Sequence, residues 1–455
     1  MAENGGFAAL SRQPPNTHSS VLKYFLQSQK LNRLPTGAAP AQAGPSDSER
    51  RIKGTSVKTP TTPQPNSDSS GRPRVTRLTP PGRGAVATLL LSGPAAADVV
   101  DRVFHARRGR RLAESPNDRL IVGHLGDAAK TAEQIVARRV SDDELMLHCH
   151  GGTAAVARIE SLLVEQGAVV TDWRSWAATA HNDRLQAEAL VALAEATTEK
   201  TATVLLDQYQ GALRAELDQI EAALAAGRHD AAATQLEQLL AWAPFGLHLT
   251  EPWRVVLAGP PNAGKSSLIN ALVGYPRAIV HATAGTTRDV LTAAAAVEGW
   301  PVELIDTAGL GEGRHPVEKE GIRRARKELS TADLVLFVCD SSRPFTEQDE
   351  SLLAGAAGVS PVLVIHNKSD LPSAPDNRPE GLPASALTGL GVAELLHAIG
   401  ERLVPDEPPP GQAVPWTRRQ IDHLSAAQAA LAQGNLAKVA GWLKQLVEVI
   451  REFKA

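Results

Sequence analysis

A chain of 455 residues is too long for one typical hydrophobic core and points to two to four domains. Its 43% apolar content, with no run near the roughly 18 residues needed to cross a bilayer, reads as a soluble cytoplasmic protein, and no signal-peptide core is evident at the N-terminus. Cys149 and Cys339 exclude a disulfide framework and fit a reducing compartment.

The net charge of −3 conceals an asymmetry. Residues 1–77 hold eleven Lys/Arg against four Asp/Glu, a balance of +7 that leaves −10 (−3 less +7) for the remainder. Pro, Ser, Thr and Gln dominate this start, as in KTPTTPQPNSDSSGRP, and such a composition buries too little surface to offset ordering. Residues 1–74 are therefore read as a disordered basic tail. From 75 to 178 a small α+β domain is expected. In it AVATLLLSG (85–93), TAEQIVARRV and DELMLHCHGG read as strands, with Leu145, Leu147 and Cys149 alternating on one face. PAAADVVDRVF (94–104) and GGTAAVARIESLLVEQGA (151–168) have helical spacing. His148 and His150 share a strand face, but two ligands without a third are too few for a metal site.

Residues 179–250 turn almost wholly helical, rich in Ala, Leu, Glu and Gln. Between 251 and 404 strands alternate with helices, as expected of a parallel sheet covered on both faces. PDEPPPGQ (405–412) is a stiff linker. It opens a last segment, 405–455, with two helices at about 416–433 and 436–453. The fold class is thus multidomain α+β: a small N-terminal α+β domain, and an all-α helical domain interrupted by a Ras-like α/β P-loop G domain.

The nucleotide motifs lie in that inserted segment. GPPNAGKS, from Gly259 to Ser266, follows a strand and opens a helix, the context in which backbone N–H groups of Asn262, Ala263, Gly264, Lys265, Ser266 and Ser267 can close around phosphates. Lys265 would reach the β- and γ-phosphates and the Ser266 hydroxyl would ligate Mg²⁺. GTTRD carries Thr286 and Thr287, the latter a Mg²⁺ ligand and γ-phosphate sensor; DTAG supplies Asp306 and Gly309. NKSD supplies Asn367, Lys368 and Asp370, whose carboxylate can accept from N1–H and the exocyclic amine of guanine. Ser385 and Ala386 open a turn that presents a backbone N–H to the guanine O6. Four elements in this order make a GTP-binding domain. Many such enzymes place a water-orienting glutamine after the DxxG glycine, but here it is Leu310.

GPPNAGKSSLINAL, AIVHATAGTTRDV, LIDTAGL and VEKEGIRRA together resemble the tRNA modification GTPases of the MnmE (TrmE) family. TPPGRGAV, LHCHGG and NDRLQAEAL extend the resemblance to roughly residues 75–435. It implies GTP hydrolysis in the service of wobble-uridine modification, stimulated by K⁺ and by pairing of G domains. The K⁺ would be held by Asn262 with carbonyls of His281, Thr283 and Thr286. It implies Glu318 as the residue that positions water, with Glu320 the spare candidate. It further implies a homodimer through the N-terminal domain, a tRNA-modifying flavoprotein partner and no membrane.

The family's 5-formyl-tetrahydrofolate site is where this chain departs. Seven residues beyond Arg83 an expected arginine is Leu90; an expected glutamate falls at Asp142 with the rest of its motif missing; an expected lysine is Arg184. The family's terminal Cys-x-Gly-Lys segment is not matched by REFKA, so the second helical part reads as truncated. These differences weigh against one-carbon chemistry and keep a second reading open: a GTPase conformational switch of the same descent acting on another partner. A ribosome-assembly GTPase shares the G-domain motifs but would carry an RNA-binding domain, of which residues 75–178 show no signature.

Overall fold

The structure, a computed structural model, describes residues 71–82, 84–109, 111–127, 132–180, 183–275, 292–306, 327–375 and 377–448. Its residues fall into two units, divided between Ala180 and His181.

In the first unit strands β1 (Arg74–Arg77), β2 (Val86–Ser92), β3 (Phe104–Ala106), β4 (Leu120–Leu125), β5 (Glu133–Arg139), β6 (Glu144–His150) and β7 (Val169–Thr171) form one sheet. Their order is β3-β4-β5-β6-β2-β1-β7, antiparallel throughout except for the β1–β7 pair. One face carries Leu89, Leu91, Ile135, Ala137, Leu145 and Leu147. It packs with Val99 and Val100 of the Ala96–Asp101 helix and with Val156, Ile159 and Leu163 of the Thr153–Glu165 helix.

One local reading is corrected here. The helix expected over 94–104 ends at Asp101, and Phe104 begins an edge strand opposite Leu125, because its ring is needed in the core below the sheet. Leu145, Leu147 and Cys149 of β6 do face one core, and Met146 and His148 on its other face are buried as well. Strands β3, β4 and β7 and the Trp173–Ala180 helix carry too little periodic signal to stand out in the sequence.

The second unit combines helices with a six-stranded sheet. Its first four long helices are Arg184–Glu195, Glu199–Tyr209, Ala212–Ala225 and His229–Ala241. Asp183 caps the first by accepting from the Leu185 N–H at 2.8 Å, and Thr198 caps the second through the Thr201 N–H. The sheet follows with β8 (Trp253–Ala258), β9 (Thr292–Val297), β10 (Trp300–Asp306), β11 (Leu334–Asp340), β12 (Val362–Asn367) and β13 (Leu382–Pro383). Their order is β13-β12-β11-β8-β10-β9, parallel except for β9. Strands β8 and β11 are buried along almost their whole length, which is why WRVVLA and LVLFVCD are nearly continuous apolar runs.

The chain then returns to the helices. Residues 407–414 lie along the Glu199–Tyr209 helix. Lys200 pairs with Glu407 at 2.5 Å, Asp207 accepts from the Gly411 N–H at 2.8 Å, and buried Gln208 bonds both the Gln412 carbonyl (2.9 Å) and the Val414 N–H (3.2 Å). The Arg418–Ala432 helix starts with a reciprocal capping box between Thr417 and Gln420. With the Leu436–Val447 helix it packs against helices 184–195, 212–225 and 229–241. One carboxylate joins the two ends of this assembly: Glu188 accepts from Arg184 (2.9 Å), from both sides of the Arg419 fork (3.0 and 2.8 Å) and from the fully buried Gln420 amide (2.9 Å). Trp300, at the head of β10, packs edge-on to Phe245 (5.2 Å) and receives Lys200 over its ring (5.3 Å), which sets the sheet against the helices.

Candidate nucleotide site

Parallel strands bring their following loops to one sheet edge, and here those loops carry the nucleotide motifs. The loop after β8 is the glycine-rich turn, Asp306 closes β10, Asp340 closes β11, Asn367 closes β12 and Ser385 follows β13. Gly259 turns the chain at φ +133°, and a Cβ there would lie 2.3 Å from the Val338 carbonyl oxygen of β11. Gly264 (φ +90°) precedes the Lys265–Val273 helix, and a Cβ on it would strike the Asn367 amide at 2.3 Å. Both positions need glycine for close approach as well as for backbone sign.

Lys265 is buried and donates from Nζ to the carbonyls of Gly259 (3.0 Å) and Pro260 (2.9 Å), so its ammonium lies inside the turn. Ser266 Oγ donates to Asp306 Oδ2 in a short contact, which joins the β8 and β10 loops through two hard oxygen atoms. Asn262 has φ +63° and is exposed at the outer part of the turn, whereas Ala263 is fully buried.

Asn367 is the joint of the site. Its Nδ2 donates to the Ala263 carbonyl at 2.8 Å and its Oδ1 accepts from the Ala386 N–H at 3.1 Å, so one buried amide holds the phosphate-side loop and the turn after β13 together. Asp370 accepts from Ser385 Oγ at 2.5 Å, and the same hydroxyl accepts from the Thr388 N–H at 3.1 Å. Lys368, itself left-handed at φ +62°, pairs with Asp340 at 2.7 Å. Burial works to raise the Asp340 pKa. The hydrogen bonds from Lys368 and Ser342 outweigh it and hold the carboxyl below its ordinary range. Asp340 does not stand out in the sequence; its signal there is only an acidic residue closing an apolar strand. Arg378, whose guanidinium donates to the Ser341 and Arg343 carbonyls at 3.2 and 3.1 Å, is a second residue that spacing does not reveal.

Thr286, Thr287, Gly309, Leu310, Glu318 and Glu320, and with them His281 and Thr283, lie outside the described residues. The structure therefore brings the described residues of GPPNAGKS, NKSD and the Ser385–Ala386 turn together at one sheet edge, with Ser266 bonded to Asp306.

In the first unit, His148 Nδ1 meets Thr88 Oγ1 at 3.0 Å. Burial, with a smaller contribution from Arg138, lowers the His148 pKa. His150 faces Glu133 at 3.3 Å. Among the described residues no group of three or more His, Cys, Asp or Glu is placed to hold a metal. Cys149, between the histidines, is pushed up to about 11 by burial first and by Glu133 next. Cys339 is likewise buried. Neither thiol is expected to react with Ellman's reagent at mildly alkaline pH in the native protein. Rapid release of thionitrobenzoate without denaturant would contradict this.

A family model described as 50S ribosome-binding GTPase matches residues 254–368. The tRNA modification GTPase MnmE of Geobacillus thermodenitrificans is 34% identical over 370 residues, 71% of this chain and 80% of that protein. The protein of the same name from Geobacillus kaustophilus is 32% identical over 419 residues, 82% of this chain and 90% of its own length. A counterpart in Thermus thermophilus is 34% identical over 390 residues, covering 78% of this chain and 87% of its own.

Proposed function

The chain belongs to the MnmE family of tRNA modification GTPases, and we propose that it uses the β8, β10, β12 and β13 loops to bind GTP and couples its hydrolysis to modification of tRNA. It is a GTPase. One observation supports this use of the site above the others: Asn367 bonds the phosphate-side loop and the base-side turn at once, so the two ends of a nucleotide would be read by a single rigid frame.

In that frame Asp370 reads the guanine edge with Ser385 steadying its carboxylate, and the stem of Lys368 lies along the base while its ammonium is held by Asp340. The helix starting at Lys265 turns its free N–H groups toward the phosphates, and Lys265 adds a positive charge beside them. Ser266 and Asp306 form an oxygen pair of the kind Mg²⁺ accepts, with Thr287 as a further donor. Held by these residues, Mg²⁺ would supply neutralisation of phosphate charge. Asn262, exposed at the outer part of the turn, offers an amide oxygen to K⁺, completed by His281, Thr283 and Thr286. Glu318 orients the attacking water, a role Leu310 cannot take.

We place these parts in a helical domain interrupted by the G domain, and infer a homodimer through residues 75–178 with G-domain pairing and a tRNA-modifying flavoprotein as partner. No described helix is long and apolar enough to cross a membrane.

The residues at the family's folate positions do not fit that group. Leu90 is buried and apolar, Asp142 pairs with Arg139 at 2.8 Å, and Arg184 is engaged with Glu188 at 2.9 Å. No step is derived through it.

GTP turnover by the full chain should be slow in NaCl and rise at least about tenfold in KCl, the scale of charge stabilisation at a single site. Glu318→Ala should lose turnover by about a hundredfold or more while binding GTP normally. Equal rates in the two salts would remove the role given to Asn262. Unchanged turnover in the Glu318 variant would move the water-positioning role to Glu320.

A further inference from the structure

The stretch RVFHARRGRR, from Arg102 to Arg111, contains five arginines and no acidic residue. It passes through β3, the edge strand of the first unit's sheet, and into the long turn that leads to β4. That turn is a built structure. The Asp101 carboxylate accepts from the N–H groups of Leu112 (2.8 Å) and Ala113 (3.0 Å), and the Leu112 side chain is fully buried. From the other side Arg139 donates to the carbonyls of Ala113 (2.9 Å) and Ser115 (3.2 Å), and its own carbonyl accepts from the Asp118 N–H at 2.7 Å.

Most acidic groups around the turn already have a cation. Asp98 and Asp101 face Arg111 at 3.2 and 3.6 Å, Asp118 faces Arg138 at 2.5 Å, and Asp142 faces Arg139. Arg107, Arg108 and Arg119 are exposed and, among the described residues, have no ion-pair partner. Asp118, which directly precedes Arg119, is taken up by Arg138, and Glu114, also exposed, is the other acidic residue between Arg108 and Arg119. Arg107 extends the ladder one step past β3 by donating its N–H to the Val122 carbonyl at 3.0 Å, and Arg119 directly precedes β4. The three guanidiniums are therefore carried at the same end of the β3–β4 pair.

Charge on an edge strand can serve to prevent pairing with another sheet, which accounts for Arg107 on the ladder's last step, but Arg108 and Arg119 stand outside the two strands, where that role does not explain them. Uncompensated like charges on an anchored turn match an anionic partner. Guanidinium forks suit phosphate oxygens. Residues 105–119 contain no Phe, Tyr or Trp on which a base could stack, so the partner's backbone and not its sequence would be read. We infer that Arg107, Arg108 and Arg119 form a contact for the phosphate backbone of RNA, an inference that rests on the tRNA-modification reading above.

The test uses the full chain and a fluorescently labelled, unmodified tRNA transcript, with binding followed by anisotropy across about 50 to 200 mM salt. Each phosphate contact contributes roughly 0.7 to 0.9 to the slope of log K against log salt. Arg107→Ala/Arg108→Ala should therefore flatten the slope by about 1.4 to 1.8 and weaken binding roughly tenfold at the low-salt end. Arg107→Glu/Arg108→Glu should weaken it further, and GTP turnover should be unchanged in both. If the wild type binds tRNA and the alanine variant shows the same slope, the contact lies elsewhere and the tRNA reading stands. A wild type that binds no tRNA overturns both. Binding to phosphatidylserine vesicles that is lost in the alanine variant, with tRNA affinity intact, overturns the proposal in favour of a lipid surface.

Discussion

Asp370→Asn is expected to lower GTP affinity by about two to four orders of magnitude and to create affinity for xanthosine triphosphate. The carboxylate can accept two hydrogen bonds from guanine, each charge-assisted and worth about 1.5–3 kcal/mol, and every 1.4 kcal/mol is tenfold. An asparagine amide presents one donor in place of an acceptor, which repels the guanine edge and complements the second carbonyl of xanthine. The frame survives the change, because Ser385 Oγ needs only an oxygen at the position now held by Asp370 Oδ1, 2.5 Å away. Equilibrium titration with fluorescent GTP and XTP analogues reads the outcome directly. A variant that binds GTP within about threefold of the parent would remove Asp370 from the base site, whatever the hydrolysis rate.

The second large effect concerns the helices. Glu188→Ala should destabilise the helical assembly by about 2–3 kcal/mol, and Glu188→Gln by roughly half of that. Glu188 accepts four hydrogen bonds from three residues, and its loss would remove the acceptor of the buried Gln420 amide and leave Arg419 only its longer bonds to the Gln445 and Leu446 carbonyls, at 3.3 and 3.4 Å. The side chains of Glu188 and Arg419 keep about a fifth of their surface exposed, 23% and 21%, so solvent takes up part of the loss and the upper end of buried-pair costs is not reached. Gln420 also accepts from the Trp416 N–H at 2.9 Å, so the start of the last helical pair would loosen with it. Denaturant unfolding followed by circular dichroism measures this. A midpoint shift corresponding to less than about 0.5 kcal/mol would show that packing between the helices, and not this carboxylate, joins them.

Much of the architecture is legible in the residues themselves. Nearly unbroken apolar runs at 253–258 and 334–340 announce strands covered on both faces, and GPPNAGKS between a strand and a helix announces a phosphate loop. Short strands such as FHA and VVT are not legible, because three residues carry no period and pair only where the rest of the sheet offers an edge. The helix read over 94–104 fails for a related reason: Phe104 fits a helical stripe in one dimension, but its place in the core is reached from a strand. Arg184 shows the limit for single residues. The sequence marks it as a charge-preserving replacement with Glu188 at i+4 on the same helix, but that Arg419 and Gln420 share the same carboxylate becomes apparent only when helix 184–195 meets helix 418–432.

What the sequence by itself determined is the set of parts: a glycine-rich turn between a strand and a helix, the NKSD carboxylate proposed to read guanine, and helices on either side of a mostly parallel sheet. These depend on spacing along the backbone, which the sequence states outright. Only the tertiary structure decided how the parts are held. Asn367, Asp340, Gln420 and Glu188 each act across loops or helices that are far apart in the chain, and a hydrogen bond's value depends on position and burial that no local pattern encodes. The same holds for the arginines of residues 107–119. The sequence shows their number, and the fold shows that Arg111 is already paired with Asp98 and Asp101, that Asp118 and Asp142 are taken by Arg138 and Arg139, and that Arg107, Arg108 and Arg119 have no ion-pair partner among the described residues.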